Sequence, residues 1–379
     1  MATLLPVTGA WKPEDFPGRR QFAALFRERP HALESGGFLS DVTIAYETWG
    51  ERNADTSNAV LVLHAFSGDS HAAGKAGHGH ITPGWWDDLI GPGKAIDTDR
   101  FFVVCPNVIG GCQGTTGPSS LAPDGKPFGS RFPVTTVRDQ TVIEAALANA
   151  LGIDRWAAVI GGSMGGMRAL EWAVSFPERV ARCVAISTCA ASSAEQIALG
   201  AMQMRAIAAD PNFRNGDYYD AEPGAGPHAG MMLARAIGQV SYRSELEFHT
   251  RFARLPQGDE DPLDGGRYAI ESYLDYHAEK LVKRFDANTY VSLTRAMNHH
   301  DVGRHRGGVA AALARITAET TIAGVSSDRL YPLRQQYELA HLIPGVTGVE
   351  IIGSMAGHDG FLVEHEAVGK VITRALADA

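Results

Sequence analysis

The chain has 379 residues, of which 45% are apolar and 20% charged, and its formal net charge is −9. This length suits one large α/β domain with an insertion, or two domains, and the composition is that of a globular protein with a substantial core. The negative charge balance argues against nucleic acid as the main partner, because phosphate binding needs a basic surface.

Neither a targeting segment nor a membrane segment is expected. Residues 1–20 lack an apolar core of signal-peptide length, and no stretch approaches the roughly 18 apolar residues of a membrane span. The four cysteines form no CxxC pair, so zinc-site spacing is absent, and Cys183 and Cys189 are most simply buried small residues. We therefore expect a cytoplasmic protein in a reducing compartment, without a membrane partner.

In chain order, the predicted strands are short runs with an apolar or alternating pattern. The run at 42–47 alternates apolar and polar side chains, which is typical of a half-buried strand near a sheet edge. The run at 59–63 is continuously apolar, which indicates a central strand covered on both faces. Residues 1–30 show neither pattern and are expected to lie over the surface. The predicted strands are residues 42–47, 59–63, 101–106, 156–160, 180–187, 320–325 and 349–352.

Helical patterns separate these strands, and a long helical, polar region interrupts them. The alternation predicts an α/β fold with a mostly parallel sheet and helices on both faces. The interruption predicts a helical lid domain, residues 191–317, inserted into a core domain of residues 1–190 and 318–379. The predicted helices are residues 137–151, 167–176, 193–209, 228–242, 270–285, 290–299 and 364–379.

The stretch Gly161-Gly162-Ser163-Met164-Gly165 lies between a predicted strand and a predicted helix, and it has the GxSxG spacing of a nucleophile elbow. In such a turn the serine is strained, the flanking glycines avoid collisions, and the helix N-terminus favours developing negative charge. An ordinary glycine-rich turn is the alternative, whereas a dinucleotide loop would need glycine at position 163. The pattern predicts that Ser163 is a nucleophile.

A serine hydroxyl needs a general base, and the base needs an orienting carboxylate. After a nucleophile elbow, these groups follow in the chain order nucleophile, acid, histidine. Asp328 follows a late predicted strand and His358 follows the last one. Alone, Asp328 could be a helix cap and His358 an exposed loop residue. Their order and context favour a triad of Ser163, Asp328 and His358.

The tetrahedral intermediate of acyl transfer carries an oxyanion that needs backbone N–H donors. One donor is expected from the residue after the serine, Met164, and the other from the loop after an early central strand. Residues 64–68 form that loop, and we favour the Phe66 amide. A tight turn that binds nothing is the alternative.

Two groups of histidines raise the question of a metal site. Helical i, i+4 ligand spacing with a catalytic glutamate is missing from both groups. We expect no metal, and hydrogen-bonded or solvated loop histidines instead. The two groups are His71, His78 and His80, and then His299, His300 and His305 close to Asp301.

Several segments together resemble the homoserine O-acetyltransferases of methionine biosynthesis, a branch of the α/β-hydrolase fold. The resemblance covers nearly the whole chain and is far more specific than the elbow alone. It departs at Phe66, where many relatives have leucine, a change that an amide donor tolerates, and at Asn298, which is often aspartate. The segments are residues 64–71, 107–118, 161–167, 234–238, 294–301 and 357–362.

The resemblance implies a ping-pong transfer of an acetyl group from acetyl-CoA to L-homoserine through acetyl-Ser163. Acetyl-CoA would be a diffusing cosubstrate, with no tightly bound cofactor. Arg235 would bind the homoserine carboxylate, a task that suits bidentate guanidinium geometry, and Asp359 would receive the ammonium group. A helix-surface charge is the alternative for Arg235. The implied assembly is a cytoplasmic homodimer joined through lid helices.

Other activities stay open at the level of sequence. Succinyl-CoA could be the donor or L-serine the acceptor, because pocket shape decides both. Water could replace the acceptor, which would make the protein an esterase or thioesterase. A binding protein that retains the fold is a third possibility, although the presence of all three catalytic side chains argues against it. A deep tunnel under a lid would favour transfer, because it keeps water poorly placed.

Overall fold

An eight-stranded sheet forms the centre of the computed structural model, which describes residues 4–377. Its spatial order is β1-β2-β4-β3-β5-β6-β7-β8 for strands β1 (Gln21–Leu25), β2 (Val42–Trp49), β3 (Ala59–Leu63), β4 (Phe102–Pro106), β5 (Ala158–Gly162), β6 (Arg182–Ile186), β7 (Glu319–Val325) and β8 (Val349–Ile352). Strand β2 is antiparallel to both of its neighbours. The other pairings are parallel, which confirms the prediction of a mostly parallel sheet.

Helices cover both faces of the sheet because side chains alternate between faces along each strand. In β3, Leu61 and Leu63 belong to one core cluster, whereas Val60 and Val62 belong to another. The first cluster contains residues of α1 (Val137–Ala150), α2 (Met164–Ser175) and α9 (Leu333–Leu342), and the second contains residues of α11 (His365–Ala375).

Six helices lie between β6 and β7, at the place where the sequence predicts a helical insertion. Ser193 caps the first of them in a capping box with Gln196, which fixes where that helix begins. The helices are α3 (Ala194–Ala209), α4 (His228–Tyr242), α5 (Glu245–Arg251), α6 (Ala269–Val282), α7 (Ala287–Asn298) and α8 (Val309–Leu313). Helix α3 packs on α4 and α7, and α4 packs on α6.

Short elements complete the chain. Helix α10 (Gly360–Val363) lies just before α11. The strand pairs His31–Ala32 with Phe38–Leu39 and Ile90–Gly91 with Ile96–Asp97 stand outside the main sheet. Residues 378 and 379 of the predicted closing helix lie outside the described residues. Within residues 4–377, every helix is too short or too polar to span a membrane.

The sequence did not predict several of these elements. Strand β1 was not predicted, although its exposure agrees with the expectation that residues 1–30 lie over the surface. Only Leu25 at its end is buried, so the segment shows neither alternation nor an apolar run. Helices α5, α8 and α9 were also absent from the prediction.

Candidate active site

Ser163 lies at the turn between β5 and α2 in a strained backbone conformation, with φ 57° and ψ −123°. Its N–H donates to the carbonyl of Ile186, 2.9 Å away, which holds the turn against β6. A Cβ atom at Gly161 would collide with the Gly165 carbonyl, and one at Gly165 would collide with the Leu63 carbonyl. The two glycines therefore permit the sharp turn that presents the serine side chain.

The three side chains of the predicted triad meet in one hydrogen-bonded chain. Ser163 Oγ lies 2.8 Å from His358 Nε2, and His358 Nδ1 lies 2.7 Å from Asp328 Oδ2. The other oxygen of Asp328 accepts the N–H groups of Leu330 and Tyr331, both at 2.9 Å. All three residues are at most 6% exposed. The arrangement can deprotonate the serine hydroxyl and stabilise the imidazolium that results.

The two predicted oxyanion donors flank the nucleophile. Within the described part of the chain, the N–H groups of Phe66 and Met164 have no hydrogen-bond acceptor. Both residues are buried, and Phe66 lines the cavity that contains Ser163. Free N–H groups beside a buried hydroxyl are the donors that a developing oxyanion requires.

His64 fixes the loop that carries Phe66. Its Nε2 accepts the N–H of Val108 at 3.0 Å, so the ring proton is on Nδ1, which donates to the carbonyl of Ala65 at 2.8 Å. Burial lowers the pKa of His64 to about 3, and the nearby Arg168 guanidinium acts in the same direction. The imidazole is therefore neutral, with one ring nitrogen accepting and the other donating.

The cavity above Ser163 is narrow and has an uncharged lining. Its volume is about 50 Å³, and it lies between the nucleophile and helices α3, α4 and α7. No Asp, Glu, Lys or Arg is among the lining residues, and the hydroxyls of Ser192 and Thr294 are engaged by backbone carbonyls. Such a cavity suits a small neutral acyl group.

Arg235 and Asp359 do not line this cavity, but each lies next to a residue of the site. The guanidinium carbon of Arg235 lies 5.1 Å from the ring centroid of Tyr242, and its Nε is buried without a hydrogen-bond partner in the described residues. The ring of Tyr242 is 6.2 Å from that of His358. Asp359 follows His358 and lies 3.1 Å from Nε of Arg243, a residue that the sequence analysis did not single out.

The loop histidines fall into separate environments. The rings of His71 and His80 stack with their centroids 3.7 Å apart, and both face the buried carboxylate of Glu47. One nitrogen of each ring and one oxygen of Glu47 lie within 4.8 Å of one another. His78 stacks on Phe16, and His300 Nε2 lies 3.0 Å from the carbonyl of Cys189. His299 and His305 are both exposed. His71 Nδ1 is hydrogen-bonded to Glu47 Oε2 at 3.0 Å, whereas His80 Nε2 accepts the N–H of Arg19 and lies 3.5 Å from Glu47 Oε1. The expectation that these histidines hold no metal stays a prediction.

Comparisons with known proteins agree with this geometry. The model of the α/β hydrolase fold family matches residues 58–365. The homoserine O-acetyltransferase of Thermobifida fusca (strain YX) is 60% identical over 98% of this chain and 98% of its own length.

Among solved structures, esterase E22 has a TM-score of 0.85 at 30% identity, with 94% of this chain and 99% of that chain covered. Homoserine O-acetyltransferase from Bacillus anthracis has a TM-score of 0.85 at 29% identity, with 94% and 97% covered. The fold alone therefore does not separate transferases from esterases, whereas 60% identity to the Thermobifida fusca protein identifies the family. The chain belongs to the homoserine O-acetyltransferase family.

Proposed function

We propose that this protein transfers an acetyl group from acetyl-CoA to the hydroxyl of L-homoserine, with O-acetyl-L-homoserine and CoA as products. The observation that carries the proposal is the hydrogen-bonded chain from Ser163 through His358 to Asp328, in a protein 60% identical to a homoserine O-acetyltransferase. Acetyl-CoA acts as a diffusing cosubstrate, and no tightly bound cofactor takes part.

In the first half-reaction, Ser163 Oγ attacks the thioester carbonyl while His358 Nε2 accepts its proton. The amides of Phe66 and Met164 stabilise the oxyanion. The carbon–sulfur bond then breaks, His358 returns the proton to the CoA thiolate, and acetyl-Ser163 remains.

In the second half-reaction, His358 deprotonates the homoserine hydroxyl, which attacks the acetyl-serine carbonyl. Collapse of the second oxyanion breaks the ester bond, and Ser163 recovers its proton from His358. Arg235 binds the carboxylate of homoserine, since its buried Nε is without a partner among the described residues. Asp359 receives the ammonium group beside the general base.

The lining of the cavity supports acetyl rather than succinyl as the acyl group. A succinyl group would bring a carboxylate into a space whose walls carry no charged side chain, and burying an unpaired charge is costly. The small volume also restricts water around the acyl-enzyme, which favours transfer over hydrolysis. In this proposal residues 191–317 act as a lid domain on the core of residues 1–190 and 318–379.

Hydrolysis is the second candidate, because esterase E22 shares the fold at 30% identity. The presence of Arg235 and Asp359 favours transfer, since water needs neither charge.

We expect L-homoserine to stimulate thiol release from acetyl-CoA strongly, with O-acetylhomoserine as the product seen by mass spectrometry. Ser163→Ala should lose turnover by at least about 1,000-fold, because no other group can form the acyl-enzyme, while its circular dichroism and melting temperature stay near those of the wild type. Thiol release that homoserine does not accelerate would contradict the proposal. Competition of succinyl-CoA with acetyl-CoA, and of L-serine with L-homoserine, tests each substrate separately.

We also propose a cytoplasmic homodimer joined through the helices between β6 and β7. All four cysteines are free and buried, as suits a reducing compartment. Large apolar side chains on these helices are exposed in the single chain, and they are Ile197, Met202, Leu233, Val240, Leu246 and Tyr276. Neighbouring exposed apolar residues are typical of a protein–protein interface.

A further inference from the structure

The junction between α4 and α5 is attached to the loop that carries the general base. Ser244, the N-cap of α5, donates its hydroxyl proton to the carbonyl of Met355. Gly357 has φ 68°, and a Cβ atom there would lie 2.6 Å from the Ser244 nitrogen. The backbone of Arg243 therefore lies directly against the segment that contains His358.

From this junction Arg243 joins two carboxylates. Its Nη1 lies 3.2 Å from Glu247 Oε1, and its Nε lies 3.1 Å from Asp359 Oδ2. The side chains of Arg243 and Glu247 are each 13% exposed, and that of Asp359 is 17% exposed. Arg251 also reaches Glu247, at 2.8 Å, but its ion pairs do not extend to Asp359.

Arg243 compensates the negative charge of Asp359 without forming a hydrogen bond to its carboxylate. Although the two atoms are 3.1 Å apart, Arg243 Nε is not aligned for a hydrogen bond, and no donor within residues 4–377 is bonded to the Asp359 oxygens. Asp359 thus has a cation at close range and free acceptor lone pairs. An ammonium group can use those lone pairs directly.

Asp359 needs such compensation because of where it lies. Burial raises the pKa of Asp359, while Arg243 first, and then Arg235 and His358, oppose that rise, and Glu247 adds to it. His277 on α6 also faces the two arginines, but burial and the positive charge of Arg235 lower its pKa to about 4, so it is neutral above that pH. Without Arg243, protonation of Asp359 would begin at higher pH.

We propose that Arg243 is a positioning residue for the acceptor: it keeps the Asp359 carboxylate ionised and oriented while leaving its oxygens free for the ammonium group of an amino alcohol. This inference rests on the proposed function, because it assumes that homoserine binds at Asp359. Arg243 would thus be a second cation, besides Arg235, that determines acceptor specificity, although it does not contact the substrate.

The test measures L-homoserine binding by calorimetry in a Ser163→Ala background, so that chemistry does not contribute. Arg243→Gln should weaken binding about tenfold near pH 8, the size of one lost charge interaction, and further towards pH 6, because a protonated Asp359 cannot pair with ammonium. Arg243→Lys should restore most of the affinity. Arg251→Gln, which removes the other partner of Glu247, should bind like the parent at both pH values.

A second readout separates this role from a general structural one. With Ser163 intact, the burst of nitrophenol from p-nitrophenyl acetate should be unchanged in Arg243→Gln, because acylation does not involve the acceptor. Unchanged homoserine affinity, an affinity loss that is the same at both pH values, or an equal loss of the acylation burst would overturn the inference while leaving the proposed function intact. Failure of the wild-type protein to transfer acetyl groups to homoserine would overturn both.

Discussion

The Nε atom of Arg235 is a buried donor without an acceptor in the part of the chain that the structure describes. A native protein rarely leaves such a group unsatisfied, since desolvation costs about 1–3 kcal/mol, and more for a charge. The neighbouring ring of Tyr242 shields one face of the guanidinium but offers no anion. A carboxylate ligand would satisfy both the charge and the hydrogen-bonding capacity of this side chain.

Arg235→Ala should therefore impair one half-reaction only. We expect kcat/KM for homoserine to fall about 100-fold, equivalent to about 3 kcal/mol for a lost charged hydrogen bond. The acylation burst with p-nitrophenyl acetate should stay near the wild-type level. Arg205→Ala, at an exposed arginine of α3, is the matched control and should change neither step. Equal losses in both half-reactions would mean that Arg235 is misassigned.

The sequence predicted the positions of some site residues and not of others. Ser163, Asp328 and His358 follow recognisable strands in a fixed order, so their meeting could be predicted without coordinates. Arg243 and Glu247 gave no such signal, because an i, i+4 charge pair on a helix is usually solvated. Only the packing of the α4–α5 junction against the loop after β8 brings Arg243 to Asp359.

Among the secondary-structure elements, helix α9 was not predicted because part of its buried face is polar. Helix α9 buries Gln335 and Gln336, and the Gln336 amide is hydrogen-bonded to the Thr188 carbonyl. These glutamines interrupt the apolar periodicity that marks a helix in sequence. Helix α4 was predicted with its observed bounds, His228–Tyr242, because small and apolar residues recur along it with helical spacing.

The contact between the α4–α5 junction and the loop after β8 can be tested at one backbone position. Gly357→Ala should destabilise the protein by about 2 kcal/mol, because φ is positive and the new methyl group meets the Ser244 nitrogen. It should also lower kcat, since His358 is the next residue. Calorimetry and steady-state assays measure both effects. Gly353→Ala in the same loop, where a Cβ has open space, should be nearly silent, and similar behaviour of the two variants would contradict this view.

At the scale of the whole molecule, the single chain exposes apolar side chains on the helices that lie over the site. Leu233 on α4 is 55% exposed and Met202 on α3 is 47% exposed. Burying such side chains against a second copy contributes about 1.5–3 kcal/mol each. Association through this surface would also restrain the helices that line the cavity.

We expect sedimentation equilibrium to show a dimer, and Leu233→Asp to weaken it at least about tenfold, because a carboxylate would be buried at the interface. Tyr337→Asp replaces a side chain on α9, outside these six helices, that is 54% exposed, and it should leave the assembly unchanged. A wild-type monomer at micromolar concentration, or equal effects of the two substitutions, would exclude this interface.

The hydrogen bond between Ser163 and His358 joins positions 195 residues apart in the chain. On the ribosome, at about 5–20 residues per second, the serine precedes its base by roughly 10–40 seconds. During that interval the growing polypeptide carries the elbow and gains the six helices, yet it has no base to activate the hydroxyl. The chain therefore does not react with thioesters during its synthesis, and it becomes reactive only when the segment that carries His358 packs against Ser163.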